Sequence, residues 1–207
     1  MKRAARADTL TYPKTFRARR LAANGTKLYV RVGGRGPAGV LLHGYGETGD
    51  IWVPLAKDLA RDHTVVVPGL RGMGLSAKPA GGYDKKTQAS DAAGILDALK
   101  IERAVLVTHD IGNMVGYAFA AQYRNRVICF VVIDTPLPGV GPWEEILKDA
   151  LLWHFRFWMR FAASDVEEGV VPDTGHWIMG ESPKATIELV RAFLDRVSPA
   201  GMRGAAG

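Results

Sequence analysis

Cysteine is almost absent. Cys129 is the single one in 207 residues, so no disulfide framework can form and no thiolate cluster can bind a metal. It lies inside the apolar run Val127 to Ile133, where a buried structural thiol is expected. Long hydrophobic runs are missing too, so no integral membrane segment is expected. Residues 4–13 lack the apolar core of a signal peptide, and a cytoplasmic location is expected. No two histidines have the His-x-x-x-His spacing, so no metal is expected. The glycine-rich stretch Arg71-Gly72-Met73-Gly74-Leu75-Ser76 lacks the Gly-Lys-Ser/Thr ending of a phosphate loop, so it reads as a turn and no cofactor is expected. A basic excess is also missing from the body of the chain. The net charge is +6, but the first twenty residues hold seven basic side chains against one acid, and the rest is balanced. That is a solvated N-terminal tail over 1–15, not a nucleic-acid surface.

What is present suits one globular domain over 16–197, with a Gly/Ala-rich tail over 198–207. Hydrophobic residues make up 47% of the chain and charged ones 23%. Asn24-Gly25 marks a hairpin between two strand-like runs. Apolar strands are expected at 38–42, 64–67, 104–108, 127–133 and 169–171. Helical segments alternate with them at 50–61, 85–100 and 111–124. A last helix opens at Ser182-Pro183, a cap followed by proline, with Ile187, Val190, Leu194 and Val197 on one face. This alternation predicts an α/β fold, a mostly parallel sheet flanked by helices.

Asp110 stands at the joint between strand 104–108 and helix 111–124, flanked two places either side by Thr108 and Gly112. A strand-to-helix joint of this kind is a nucleophile elbow. A carboxylate at its tip suits attack on an alkyl carbon, because the ester so formed can be hydrolysed afterwards. The plain alternative is that Asp110 caps the helix. Ser76, Ser90 and Ser164 lie on no elbow, which disfavours a serine esterase.

Four motifs occur in sequence: Leu41-Leu42-His43-Gly44-Tyr45-Gly46, Arg71 to Ser76, Thr108-His109-Asp110-Ile111-Gly112, and Gly175-His176-Trp177. Together they resemble the α/β-hydrolase fold family, in its epoxide hydrolase and haloalkane dehalogenase group, over 16–138 and 165–197. The resemblance implies an epoxide or similar small-molecule substrate and an aspartyl-ester mechanism. It makes Asp110 the nucleophile and His176 the base that activates water. It makes the N–H groups of Tyr45 and Ile111 an oxyanion hole, with His43, Gly44, His109 and Trp177 lining the substrate pocket. His63 and His154 match no motif. An acidic residue usually stands in the family where this chain has Gly69, which implies a less braced loop.

The third triad member departs from the family pattern. Pro138 to about Ala163 is short for a helical lid followed by a strand, an acid and a helix. A lid remnant over 139–163 is expected, with one late strand-helix unit missing. Asp134, at the end of strand 127–133, is the candidate acid, since some haloalkane dehalogenases place theirs at this strand end. A turn-forming aspartate is the alternative, and Asp173 is a weaker rival. The segment 143–163 is dense in Trp, Leu and Phe, and left uncovered it would favour self-association. The resemblance therefore implies epoxide hydrolysis to a diol. The alternatives are haloalkane dehalogenation and a non-catalytic remnant.

Overall fold

The computed structural model describes residues 11–134, 169–172 and 174–197. Strands β1 (Arg17–Ala23) and β2 (Thr26–Gly34) form a hairpin in which Ala23 pairs with Thr26. The two residues between them, Asn24 and Gly25, both have positive φ, as a two-residue hairpin turn with right-handed twist demands. Strands β3 (Ala38–Leu42), β4 (Thr64–Pro68), β5 (Ala104–His109) and β6 (Val127–Ile133) follow. The sheet order is β1-β2-β4-β3-β5-β6. β1 and β2 run antiparallel to their neighbours, and the other four strands are mutually parallel. Every residue of β3 and β5 is buried, which is why these strands are continuous apolar runs without alternation.

The helices cover both faces. α2 (Lys85–Ala98) and α3 (Ile111–Gln122) pack with Leu28, Leu42, Leu106 and Phe119 on one side. On the other side α1 (Val53–Leu59) packs with Leu41, Val67 and Val105. It is joined there by α4 (Ile178–Glu181) and α5 (Pro183–Val197). From β3 the chain passes through α1 to β4, then crosses back through α2 to β5 on the opposite side of β3. The order reverses between β3 and β5, and clefts in such sheets open at the carboxyl ends of the strands flanking that reversal.

Two expectations change. Residues 169–171 form no strand: they pair with no described strand, and Val170 is 74% exposed. A three-residue apolar run carries too little burial to hold an edge position by itself. In α5 the buried residues are Thr186, Val190 and Leu194, at strict four-residue spacing, while Val197 ends the helix beyond the core. The lid remnant 139–163, residues 1–10, the tail 198–207, His154, Ser164 and Asp173 lie outside the described residues, so self-association through 143–163 remains an expectation.

Beside the elbow, helix and sheet approach closely at Gly112. A Cβ there would sit 2.5 Å from the Leu42 carbonyl oxygen and 2.8 Å from that of His43. These are backbone atoms, so nothing flexible can yield. Gly112→Ala is expected to cost about 1–3 kcal/mol and lower the melting temperature by several degrees. Gly180→Ala, which meets nothing within 4 Å, should leave it unchanged or slightly raised. Equal melting temperatures for the Gly112 variant and the parent would contradict this packing.

Candidate active site

Three neighbouring parallel strands end side by side, and each delivers a polar residue. His43 follows β3, Asp110 follows β5, and Asp134 follows β6. Asp110 has φ 49° and ψ −123° and makes no side-chain capping bond to α3. A capping aspartate would sit in extended backbone and accept an N–H from the first turn. Asp110 instead holds a strained left-handed conformation that turns its carboxylate away from the helix. Asp134 also has positive φ, at 48°.

His176 lies between these two carboxylates. Its Nε2 is 3.0 Å from Asp110 Oδ2, and its Nδ1 is in direct hydrogen-bond contact with Asp134 Oδ2. The three groups are partly open to solvent. Residues far apart in sequence, 110, 134 and 176, thus converge at one point.

The wall behind them is dry and fully engaged. His109 is buried; its Nδ1 is 3.1 Å from Glu47 Oε2 and its Nε2 is 2.9 Å from the His176 carbonyl oxygen. A carbonyl can only accept, and an ionised carboxylate can only accept, so both ring nitrogens of His109 must donate. The imidazole is therefore cationic and paired with Glu47. Burial acts to lower the His109 pKa, but the Glu47 hydrogen bond and charge, the His176 carbonyl and the Asp110 charge outweigh it, and the pKa is raised. Burial acts to raise the Glu47 pKa, but His109 and the Gly44 N–H prevail, and it is lowered. Glu47 also accepts the Gly44 N–H, so one carboxylate fixes both the turn after β3 and the ring beside Asp110. Gly44 is sterically required there: a Cβ would lie 2.7 Å from Glu47 Oε2 and 2.8 Å from Asp110 Cβ. The turn that carries the Tyr45 N–H is thereby held against the Asp110 side chain, while the Tyr45 side chain is 71% exposed.

The elbow is tied to β6 by a second network. The Thr108 hydroxyl donates to Asn113 Oδ1, and Asn113 Nδ2 donates to the Ile133 carbonyl at 2.8 Å. That bond fixes the strand end just before Asp134. His43 is fully buried, accepts the Leu70 N–H at Nε2 (3.0 Å) and contacts the Gly44 carbonyl through Nδ1 (2.9 Å). Burial lowers its pKa, so the ring is a neutral strut. His43 and His109 are therefore buried behind the cluster of Asp110, Asp134 and His176. Trp177 does face outward, 53% exposed, with its ring 5.1 Å from that of His176.

The Gly69 loop is well braced despite lacking an acid. Arg71 makes a buried paired contact with Asp91 on α2, with Nε 2.8 Å from Oδ2. The Ser76 hydroxyl donates to the Gly69 carbonyl and accepts the Tyr29 N–H. Burial pushes the Cys129 thiol up to about 11, as befits an inert thiol.

Glu47, Asn113 and Lys85 carried no sequence expectation. Glu47 lies three residues past Gly44, and its register to the His43-Gly44 turn was the available signal. Lys85, at the start of α2, has its pKa lowered by burial while the Asp110 charge opposes that shift, so the ammonium lies within electrostatic reach of the elbow. Donor atoms of His109, Asp134 and His176 lie within 4.8 Å of one another, a spacing that could hold a cation. Binding there would require His109 to give up a hydrogen bond to Glu47 or His176.

The Glu47–His109 pair makes stability depend on pH. The raised His109 pKa contributes stability that is fully present below about pH 6.5, the unfolded value, and is lost as pH rises through the folded one. The depressed Glu47 pKa contributes stability present above about pH 4.3 and lost as pH falls through the folded value. The melting-temperature difference between the parent and His109→Gln should therefore peak near pH 5.5 and shrink above neutrality. A difference that stays flat from pH 5.5 to 9 would show that His109 is not charged.

Residues 40–169 match the family model described as alpha/beta hydrolase fold. The chain is 35% identical over 151 residues to a fluoroacetate dehalogenase of Burkholderia sp, a match that covers 69% of this chain and 49% of that protein. It is 34% identical over 117 residues to a soluble epoxide hydrolase of Corynebacterium sp. (strain C12), covering 56% and 41%. Among solved structures, an epoxide hydrolase from Vigna radiata superposes with a TM-score of 0.58 at 27% identity, over 63% of this chain and 42% of that one. Epoxide Hydrolase A from Mycobacterium thermoresistibile does so with a TM-score of 0.58 at 28% identity, over 65% and 44%. The chain spans about half or less of the length of these relatives. With its sheet order, its elbow at Asp110 and a family match over more than half its residues, this chain belongs to the alpha/beta hydrolase fold family.

Proposed function

We propose that this chain hydrolyses an epoxide to a diol through an ester of Asp110. The observation that carries the reading is His176 held between Asp110 and Asp134. One Asp110 oxygen attacks an epoxide carbon, the ring C–O bond breaks, and the alkoxide takes up a proton. His176 then removes a proton from water. The hydroxide adds to the ester carbonyl, and the Tyr45 and Ile111 N–H groups receive the oxyanion. The acyl C–O bond breaks, the diol leaves with the proton from His176, and Asp110 is restored. Asp134 orients the imidazole and balances its charge. The positive end of α3 favours the ionised nucleophile.

Epoxide opening needs a donor for the alkoxide. In related hydrolases lid tyrosines supply it, and this chain has no tyrosine after Tyr123. General acid help is worth about 10²–10⁴ in rate, so turnover should be slow and favour small epoxides activated by strain or an aromatic neighbour. The similarity to a fluoroacetate dehalogenase favours alkyl-halide cleavage as a second reading. Ile111, not the tryptophan common in dehalogenases, follows the nucleophile, so epoxide opening is preferred.

Brief exposure to styrene oxide, followed by a quench and peptide mass analysis, tests this. The parent should show a small fraction of adduct on the Asp110 peptide, and His176→Gln should accumulate it, with hydrolysis slowed about 10²–10⁴-fold. Asp134→Ala should slow the same step by about 10² or more. If neither the parent nor His176→Gln forms any adduct, the ester reading is lost and a non-catalytic family member remains.

Asp110→Asn should abolish turnover and keep the fold, because asparagine is close in shape to aspartate and is among the non-glycine residues that best tolerate positive φ. Parental activity in a freshly made Asn variant, with deamidation excluded by mass, would remove Asp110 from its role. Tyr45→Phe should leave the slow rate within about threefold, given the exposed side chain. A fast parental rate abolished by Tyr45→Phe would instead make Tyr45 the donor.

A further inference from the structure

His176 belongs to the described segment 174–197, and something must hold that segment against the sheet. Its apolar contacts are the buried Met179, Val190 and Leu194, with Ile178, Ile187 and Phe193 packed partly buried against the core layer that α1 shares. Near the site itself, the described attachments are the His109 contact to the His176 carbonyl and the two aspartate contacts of the ring. One charged contact stands out on α5. Arg191 is mostly buried and spreads its guanidinium over α1 and the turn that follows it. Its Nη1 lies 2.8 and 2.7 Å from the two Asp62 oxygens, its Nη2 is 2.5 Å from the Asp58 carbonyl oxygen, and its Nε contacts the Asp58 carboxylate. All three nitrogens of the fork are therefore engaged with α1 or its C-terminal turn.

From that clamp to His176 the connection is stiff. α5 runs unbroken back to Pro183. The Ser182 N–H bonds to the Ile178 carbonyl, which joins α5 to α4. Glu181 on α4 accepts the Gly175 N–H at 2.6 Å, next to His176. α1 in turn packs on β4 and the turn that precedes it, part of the same sheet that delivers Asp110.

We propose that Arg191 is a positioning residue for His176: it fixes the angle and height of α5 on α1, and through Glu181 and Gly175 it sets the imidazole between Asp110 and Asp134. The proposal rests on the aspartyl-ester reading for its kinetic consequence. Alkylation of Asp110 needs only the elbow, and ester hydrolysis needs His176, so loss of the clamp should separate the two steps. A displacement of about 1 Å at a reacting group can cost about 10² in rate.

The test uses Arg191→Met, which keeps the apolar stem, and Arg191→Lys, which keeps the cation. Both are given styrene oxide under single-turnover conditions, and backbone hydrogen exchange is followed in parallel. The expected result is parental alkylation, ester hydrolysis slowed about 10–100-fold in Arg191→Met, and partial rescue in Arg191→Lys. Exchange should rise over 174–182 and stay unchanged over 104–122. Unchanged hydrolysis would overturn the proposal. Equal loss of both steps, or exchange that rises across the sheet, would also overturn it and make Arg191 a general stability residue. If the parent itself forms no ester, the functional reading fails separately. The exchange pattern then decides the positioning claim: a local rise over 174–182 supports it, and no rise there refutes it.

Discussion

Two carboxylates and an imidazole can share one point here because three parallel strands end at the same level. β3, β5 and β6 are in register, with Leu42 opposite Thr108 and His109 opposite Ile133. The residue that follows β5 and the residue that follows β6 therefore emerge as neighbours. Both adopt positive φ, which swings their side chains out of the strand direction and toward each other. The close approach at Gly112 and Gly44 lets the elbow sit deep between the strand ends. Bulk at either glycine would push it out. The rest of the molecule can be understood as support for that alignment.

Much of the support is electrostatic and buried. Glu47 and His109 neutralise one another next to Asp110, and Arg71 and Asp91 do so where α2 meets the glycine-rich loop. Such pairs add little net stability, because desolvation offsets attraction. They are exacting about geometry, however, since a displaced partner leaves a bare buried charge. A site that must hold hydrogen bonds near 3 Å across separate elements gains from that exactness.

The apolar strands were legible because parallel sheets bury both faces, so runs such as Val105 to Val107 are apolar without alternation. The Asn24-Gly25 hairpin and the Pro183 helix start were equally plain, each resting on local backbone chemistry. The family followed from four motifs in order. The run at 169–171 misled, because apolar character marks a strand only when an edge is there to receive it. Val197 misled because periodicity along a helix does not say where the core stops. Within the candidate site, Asp110 was named from its place at a strand-to-helix joint, and Asp134 and His176 through the family resemblance. The state of Asp110 as a strained elbow rather than a cap needed its dihedral angles. The charge on His109 needed both of its acceptors, Glu47 and the His176 carbonyl, which are 62 and 67 residues away in sequence. Contacts at that separation leave no local pattern to read.

The account stands or falls on a covalent bond to Asp110, and oxygen tracing tests it most directly. In a single turnover of styrene oxide in H₂¹⁸O, with enzyme in excess, the oxygen added to the product should come from the Asp110 carboxylate. The diol should be unlabelled, and the peptide carrying Asp110 should gain one ¹⁸O. Diol labelled in the first turnover, with the Asp110 peptide unlabelled, would mean that water attacks the substrate directly, and the account would be wrong.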